Sequence, residues 1–271
     1  MRWVKEYDIS EVRPYINWLY FFHAWQMGGK PREARETLRN DAERMLEEFS
    51  QYHTHGVVGL FPAVSEGDDL LINGVRMPML RQQVADEERE VCLCLADFIR
   101  PAEAGQEDRI GVFAATVDPQ MEHTDDEDPY TRMLAQTLAD RLAEATAERL
   151  HQQVRQELWG YAPDEHLSIE QMQREEFQGI RPAVGYPSMP DTSLNFLIEQ
   201  LIAMSDIGIQ LTENGAMRPH ASVSGLMMAH PAARYFYLGR IGEDQLADYA
   251  RRRGISIEKA RKFLASCFIN H

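Results

Sequence analysis

A long stripe of apolar residues between positions 130 and 158 constrains the fold more than any other feature of the chain. The stripe recurs every few residues, which predicts one long amphipathic helix with an apolar side toward the core. Its members are Leu134, Leu138, Leu142, Ala145, Leu150, Val154 and Leu158. A second helical pattern covers residues 32–52 and consists of Ala34, Leu38, Ala42, Met45, Leu46 and Phe49.

Short, apolar and β-branched segments alternate with further helical patterns. The predicted strands cover residues 56–64, 68–74, 75–80, 91–99, 109–117, 209–217, 221–230 and 234–241, with an Asn-Gly turn between the second and third. Additional helices are predicted over residues 168–177, 193–208, 242–254 and 256–268, and the aromatic segment 14–27 is either a buried helix or an apolar edge of the core. Strands with interleaved helices predict an α+β class. No linker or repeat divides the 271 residues, so we expect one domain over 1–271 with its core at about 10–265.

The charge balance excludes several classes of partner. The chain has 43 acidic and 28 basic residues and a formal charge of −15, which repels phosphate backbones and anionic lipid. We therefore expect no nucleic acid and no membrane as main partner, and no apolar run is long enough for a membrane span. The N-terminus lacks the apolar core of a signal peptide, and three cysteines are too few for a disulfide framework. These features favour a cytoplasmic location.

The sequence offers no metal site. Cys92 and Cys94 would share one face of a predicted strand, but no further ligands follow, so we interpret them as buried structural thiols. His53 and His55 also lack a third ligand. No dinucleotide fingerprint, phosphate-binding loop or nucleophile elbow is present.

Residues 179–191, "GIRPAVGYPSMPD", hold three prolines and two glycines around a single arginine, Arg181. Proline fixes φ and donates no backbone hydrogen bond, whereas glycine permits backbone angles that other residues avoid. The stretch is therefore a shaped loop outside any helix or strand. Local sequence favours an ordinary turn with a solvated arginine, and the alternative is a stiff backbone that lies against a ligand.

The long predicted helix carries Asp140, Glu144 and Glu148 four residues apart on one side. Like charges at this spacing repel slightly. The pattern is typical of a solvated acidic surface, and the alternative is a column of acids that waits for a cation.

The order of several segments resembles the activation domain of cobalamin-dependent methionine synthase. The segments are "GIRPAVGYPSMPD", "LTENGAM", "ASVSGLMMAHPAARYFY" and "DYARRRG", preceded by "YINWLYFFHAW", "GVVGLFPA", "CLADFI", "TLADRLAEATAE" and "LWGYAP". Each motif is moderately specific, and together they span about residues 10 to 265 in the family's order.

The resemblance implies a C-shaped α+β domain around a central twisted antiparallel sheet flanked by helices. It implies binding of S-adenosylmethionine and support of the reductive methylation that returns oxidised cob(II)alamin to methylcobalamin. Cobalamin would be carried by a partner domain or chain of methionine synthase, and a flavodoxin-type donor would supply one electron. The family's homocysteine, folate and cobalamin domains are not in this sequence, so we expect an excised domain or a separate subunit that does not make methionine alone.

The resemblance also implies a set of binding residues for S-adenosylmethionine and no catalytic residue. The set consists of Asn17, Glu144, Arg181, Ala183, Gly185, Tyr186, Tyr235 and Phe236. Arg181 would grip the ligand carboxylate through its planar guanidinium, and Glu144 would face a cationic group. The family often has Asp where this chain has Asn17, which keeps a hydrogen-bonding amide but removes a charge.

Two other functions stay open at this point. The chain could be an accessory protein-binding module that has lost ligand affinity, or a stand-alone methyltransferase that uses S-adenosylmethionine. The second needs a general base, and the one candidate, His230, is better explained as the cap of a turn with Pro231. Similarly, Arg251, Arg252 and Arg253 either dock an acidic electron donor or interact with the dipole of their own helix.

Overall fold

The computed structural model describes residues 1–85, 91–122 and 128–267. The chain begins with β1 (Arg2–Asp8), α1 (Ile9–Val12), α2 (Trp18–Ala24), α3 (Arg32–Glu48) and the long strand β2 (His53–Glu66). The middle of the chain forms β3 (Asp69–Ile72), β4 (Val75–Pro78), β5 (Asp108–Val117) and the longest helix, α4 (Pro129–Gln153). The remaining elements are α5 (Ile169–Gln173), α6 (Asn195–Ile202), β6 (Gln210–Leu211), β7 (Met217–Arg218), β8 (Ser222–Met227), α7 (Glu243–Arg253) and α8 (Ile257–Phe263).

Six strands form one antiparallel sheet in the order β4–β3–β2–β5–β8, and β1 pairs with the first half of β2. Since β5 pairs with residues 54–63 of β2, β1 occupies the opposite edge of that strand. The predicted Asn73–Gly74 turn joins β3 to β4, with positive φ at both residues as such hairpins require. The short strands β6 and β7 form a separate ribbon.

Helices cover both faces of the sheet, because successive residues of a strand point to opposite faces. Phe113 of β5 packs in one cluster with Leu150 of α4. Val112, the preceding residue of β5, packs in another cluster with Ile198 of α6. The predicted α+β fold, with a curled central antiparallel sheet flanked by helices, is confirmed.

The predicted helices are confirmed where their end signals are strong. The apolar stripe of α4 is buried, and the helix begins after Asp128, whose carboxylate accepts from the Thr131 N–H at 3.1 Å. It continues into a π-helical turn over Val154–Leu158. Ser256 caps α8, and α7 ends at Gly254 with φ +67°. None of the described helices is long and apolar enough to cross a lipid bilayer.

Four of the predictions were wrong in detail. Residues 91–99 form a 3₁₀ turn over Leu95–Phe98 rather than a strand, because the Asp97 carboxylate accepts from the Cys94 N–H at 2.9 Å and turns the chain. Residues 234–241 are irregular, and β6 with β7 replaces a single strand over 209–217. The helix predicted over 193–208 is interrupted at Ala203, whose φ is +47°. Part of the acidic segment at 121–129, predicted as a loop or helix approach, lies outside the described residues.

The three cysteines and the C-terminal arginines have internal roles. All three cysteines are free; Cys94 is buried as predicted, Cys92 is only half-buried, and Cys267, for which no burial was predicted, is also buried. Arg252 forms an ion pair with Asp69, and Arg253 donates to the Ser193 Oγ at 2.8 Å. Their side chains are only 12% and 9% exposed, so the hypothesis that they dock an electron donor is wrong for these two residues.

Candidate functional site

A cavity of about 630 Å³ opens between the start of α2, one side of α4, the loop 179–191 and the segment 235–237. Its polar lining residues are Asn17, Arg141, Glu144, Glu148, Gln173, Glu175, Arg181 and Ser188. Its aromatic lining residues are Tyr15, Tyr20, Phe177, Tyr186, Tyr235, Phe236 and Tyr237. The remaining lining residues are Ala145, Met172, Pro182, Ala183, Pro187 and Val223.

The loop 179–191 forms one wall of this cavity because its backbone lies directly on β8. Ala183 bridges Gly225 of β8, and the Val184 N–H donates to the Ser224 carbonyl at 2.9 Å. A side chain at position 225 would collide with the Pro182 carbonyl, so this close approach requires glycine. Gly185 has φ +87° and turns the chain back, which its N–H secures by donating to the Met189 carbonyl at 2.8 Å.

Arg181 is held inside this wall rather than in solvent. Its side chain is 11% exposed, and Nη2 donates to Glu148 Oε2 at 2.9 Å. Its backbone N–H donates to the Tyr235 hydroxyl at 2.8 Å. Burial by itself lowers the pKa of Arg181, but Glu148, Tyr235 and Glu144 outweigh burial, and the net pKa is raised. The interpretation as an ordinary turn with a solvated arginine is therefore wrong, and the cation is fixed.

The ion pair of Arg181 and Glu148 is incomplete. Within the part of the chain that the structure describes, neither Nε of Arg181 nor Oε1 of Glu148 has a hydrogen-bond partner, although both atoms are buried. Nε of Arg141, which also lines the cavity, is buried without a partner in the same sense. Buried polar atoms are normally paired, and unpaired ones mark strain or a missing ligand.

Three carboxylates, those of Glu144, Glu148 and Glu175, line the cavity against the guanidinium groups of Arg141 and Arg181. Counting three acids and two bases, the charged lining carries a net charge of −1. Glu144 and Glu148 are half-buried on α4, and Glu144 accepts from the Tyr186 hydroxyl. A solvated acidic surface is thus the wrong interpretation for these two members of the column.

Glu175 lies in the left-handed backbone region with φ +58°, which non-glycine residues rarely adopt. Such a conformation costs on the order of 1–3 kcal/mol and concentrates at functional sites. Burial and the nearby Glu148 raise the pKa of Glu175, while Arg181 lowers it. A strained carboxylate with a raised pKa beside a second carboxylate favours a cationic ligand.

Asn17 also has a structural role that was not among the predictions made from the sequence. Its Oδ1 accepts from the N–H groups of Leu19 at 3.1 Å and Tyr20 at 3.4 Å, so it is the N-cap of α2. Because α2 begins at the cavity, the cap places this amide in the lining. Tyr20 and Tyr237 stand at the rim, where they are 57% and 66% exposed. The cavity is therefore open to solvent.

The back of the cavity rests on a second arginine cluster. The guanidinium carbon of Arg155 lies 4.2 Å from the ring centre of Phe177, which is a lining residue. Arg155 is fully buried and paired with Glu165. His151 packs edge-on against the same ring at 5.0 Å, and burial with the charges of Arg155 and Arg181 holds its pKa well below the usual range.

The structure brings together seven of the eight residues predicted for the site. The seven that line the cavity are Asn17, Glu144, Arg181, Ala183, Tyr186, Tyr235 and Phe236. Gly185 stands outside the lining and shapes the loop. Sequence reasoning missed Arg141 and Glu175; Arg141 sits three residues before Glu144 on α4, which was a usable signal, whereas nothing in the sequence marked Glu175.

Among the described residues, the geometry supports neither His230 as a general base nor a metal site. His230 lies outside the lining and accepts from the Ala232 N–H through Nδ1 at 3.1 Å, as expected for a turn cap. His55 is engaged with Asp118 at 2.8 Å. Among residues 1–85, 91–122 and 128–267, no group of three or more potential ligands could hold a metal ion.

The fold and the cavity define an α+β domain with an open, aromatic, net-acidic cavity of the size that small molecules occupy. The sequence model of the family described as "Vitamin B12 dependent methionine synthase, activation domain" matches residues 8–254. A crystal structure of the MetH reactivation domain bound to AdoHcy is similar over 100% of this chain and 91% of that chain, with 38% identity and a TM-score of 0.92. The chain belongs to the family of activation domains of vitamin B12-dependent methionine synthases.

Proposed function

We propose that the cavity binds S-adenosylmethionine and that the chain supports reductive methylation of cobalamin carried by methionine synthase. The observation that carries the proposal is the net charge of −1 on an aromatic lining built around buried Arg181. S-adenosylmethionine carries a carboxylate, an ammonium and a sulfonium, so its net charge of about +1 complements this lining. The similar MetH domain binds AdoHcy, the same molecule without the transferable methyl group.

The proposed site consists of the residues expected from the sequence, together with two that the geometry adds, Arg141 and Glu175. Arg181 and Arg141 each hold a buried Nε without a partner among the described residues, and the ligand carboxylate would supply the acceptors. Glu175 and Glu144 would face the ammonium and the sulfonium. Aromatic side chains of the lining would stack on adenine and attract the sulfonium through their π faces.

In this reaction the chain would only bind and orient S-adenosylmethionine. Cobalamin on the partner would supply the reduced cobalt that accepts the methyl group after a donor has delivered one electron, and neutral S-adenosylhomocysteine would remain. No proton moves in that transfer, which fits a site without a general base. The open rim at Tyr20 and Tyr237 would let a partner reach the methyl group.

The proposed partner is the cobalamin-binding part of methionine synthase, and the family supports this association. We further propose a flavodoxin-type protein as electron donor and a cytoplasmic location, for which three free cysteines are the expected state. The described chain would then act as a reactivation unit and would not make methionine alone.

Calorimetry with S-adenosylmethionine and S-adenosylhomocysteine tests the ligand, with L-methionine and adenosine as controls. We expect saturable one-to-one binding of S-adenosylmethionine and of S-adenosylhomocysteine. Binding of S-adenosylhomocysteine should be weaker because its sulfur is neutral. No binding at about 1 mM ligand, a free energy near −4 kcal/mol, would contradict the proposal. The second step is tested by mixing the chain with a cobalamin-loaded methionine synthase fragment and a one-electron reductant. Ligand binding without methyl transfer would leave only a ligand-binding accessory module.

A further inference from the structure

The outer edge of β1 is an unpaired strand edge on the side of the sheet opposite the cavity loop. Along the sheet β1 is followed by β2, β5 and β8, and the loop 179–191 lies on β8. Unpaired edges expose a row of backbone donors and acceptors and can template another strand. Val4, in the middle of β1, is 49% exposed.

The register of β1 decides which backbone groups face outward. Met1 and Leu60 exchange two backbone hydrogen bonds, at 3.1 Å and 2.8 Å. In an antiparallel ladder every second residue repeats that pattern, and the residues between them direct N–H and C=O away from the partner strand. Among residues 2–6 of β1, the outward ones are Arg2, Val4 and Glu6. None of their backbone groups bonds to another described element.

The sequence of this edge is complementary to itself when two copies run antiparallel. With Val4 opposite Val4 of a second copy, Arg2 stands opposite Glu6 and Trp3 stands opposite Lys5 of that copy. The pairs are then two opposite-charge pairs, two pairs of a lysine with an indole and one central apolar pair. Directly opposed side chains of these kinds stabilise antiparallel pairs, whereas like charges destabilise them.

Glu6 is largely exposed at this edge, whereas Arg2 is partly engaged within its own chain. The Glu6 carboxylate is 64% exposed, and Nδ1 of the neighbouring His55 ring lies 3.7 Å from it. Arg2 donates through Nε and Nη2 to the Ile202 carbonyl and to Asp206, while its Nη1 makes no hydrogen bond to any described residue. One arginine can therefore keep its internal contacts and reach across the edge.

We propose that β1 pairs antiparallel with β1 of a second copy and forms a symmetric dimer through a continuous sheet. The pairing centres on Val4 and leaves both cavities open, because each cavity lies at the other edge of its own sheet. A seven-residue strand pair buries less than the roughly 1,200–2,000 Å² of stable interfaces, so the dimer is weak, with a Kd on the order of 0.1 mM.

Sedimentation equilibrium between about 10 µM and about 1 mM protein tests the dimer. We expect the average mass to rise from 31.2 kDa toward twice that value. Val4→Pro removes an outward N–H without breaking the ladder to β2 and should stay monomeric, whereas Val4→Thr keeps the N–H and should dimerise. A wild-type chain that stays monomeric at 1 mM, or a Val4→Pro chain that dimerises equally well, would overturn the proposal.

Charge reversal tests the register. Glu6→Arg places arginine against arginine at both ends and should weaken self-association at least about ten-fold at low salt. Arg2→Glu should do the same, and an equimolar mixture of the two variants should dimerise again because every reversed pair is then opposite in charge. Unchanged thermal melting of each variant controls for folding. If Glu6→Arg dimerises as the parent does, or the mixture stays monomeric, the self-complementary register is wrong.

Discussion

Two buried arginine–glutamate pairs lie at the cavity, one behind the lining residue Phe177 and one in the lining itself, and they differ in how completely they are paired. Arg155 is 0% exposed and Glu165 is 8% exposed, and they share three contacts of 2.8 to 3.1 Å. Arg181 and Glu148 are 11% and 16% exposed and share one contact of 2.9 Å. In the closed pair, Arg155 with Glu165, one buried atom, Arg155 Nη1, has no partner among the described residues, and neither residue lines the cavity. In the open pair, Arg181 with Glu148, each partner leaves one buried atom unmatched, and both residues line the cavity.

This difference suggests that the closed pair stabilises the fold and that the open pair binds a ligand. Buried charges are tolerated when geometry and hydrogen bonds offset desolvation, as the bidentate contact of Arg155 does. Arg181 and Glu148 fix a cation and an anion in place while keeping part of their capacity free. A zwitterionic ligand such as an amino acid moiety can use both. The closed pair should therefore control stability, and the open pair should control affinity.

Removing one partner of the closed pair should have the largest effect. Glu165→Ala leaves the Arg155 cation buried without its carboxylate, so we expect a loss of about 3–5 kcal/mol in unfolding free energy. The double variant Arg155→Met, Glu165→Leu should recover most of this loss, since it removes the charge as well. Urea unfolding measures both. A single-variant cost below about 1 kcal/mol would mean that the pair is not desolvated.

The matching change in the open pair is Arg181→Lys. A lysine keeps the charge and can still contact Glu148, but it cannot offer the planar guanidinium to a carboxylate. We expect S-adenosylmethionine affinity to fall by about 1.5–3 kcal/mol, roughly ten- to a hundred-fold, with a smaller change in unfolding free energy. Calorimetry with S-adenosylmethionine on the folded variant measures this change in affinity. Affinity equal to the parent's would remove Arg181 from the proposed site.

His151 packs on Phe177 and senses the charges of both arginines, so its titration sharpens the comparison. Its pKa is lowered by burial, then by Arg155 and Arg181, so the folded chain keeps it neutral at a pH where the unfolded chain is protonated. The contribution of neutral His151 to the free energy of unfolding is therefore complete above about pH 6.5. Below that pH the contribution is lost by about 1.4 kcal/mol per pH unit.

The measurement compares wild type with His151→Gln by urea unfolding at pH 7.5 and 5.5. The other titrating groups cancel in that comparison. We expect wild type to lose about 1.4 kcal/mol more than the variant between the two pH values. Equal losses would show that His151 titrates normally in the folded protein.

The fold was largely predictable because its long elements carry complete local signals. The stripe of α4 and the Asn73–Gly74 hairpin combine periodicity with end residues, and both are present. The errors fall where a local hydrogen bond or an unusual backbone angle overrides the apolar pattern. Asp97 turns the segment around Cys94 away from a strand, and Ala203 adopts φ +47° although alanine favours helices. The spacing of apolar residues predicts neither the turn at Asp97 nor the φ of Ala203.

The sequence predicted most of the residues that line the site but only part of their backbone geometry. The family resemblance supplied seven residues of the lining, including Arg181. It did not supply the strained backbone of Glu175, which a glutamate gives no reason to expect. The N-cap role of Asn17 was readable, because asparagine before an aromatic helical run is a typical helix start.

The smallest expected effect concerns Asn17, which lines the same cavity as the open pair and caps α2. Asn17→Asp keeps an acceptor for the N–H groups of Leu19 and Tyr20, so the helix start should be preserved. The new charge lies near a ligand with two cationic centres, and a partly exposed charge pair at about 4 Å is worth about 1–4 kcal/mol before desolvation. The capping N–H groups and desolvation compete for it, so we expect a net gain near 1 kcal/mol, or about five-fold in affinity.

Asn17→Ser is the matched control, because serine retains the cap without adding charge. Calorimetry with S-adenosylmethionine should show tighter binding for Asn17→Asp and little change for Asn17→Ser. The gain should shrink as salt rises, since the rim at Tyr20 is open to water. It should be smaller for S-adenosylhomocysteine, which keeps the ammonium but has a neutral sulfur. If both substitutions change affinity equally, the cap geometry matters and the charge does not. In that case the cationic part of the ligand lies on the side of Glu175 and the open arginine pair, away from α2.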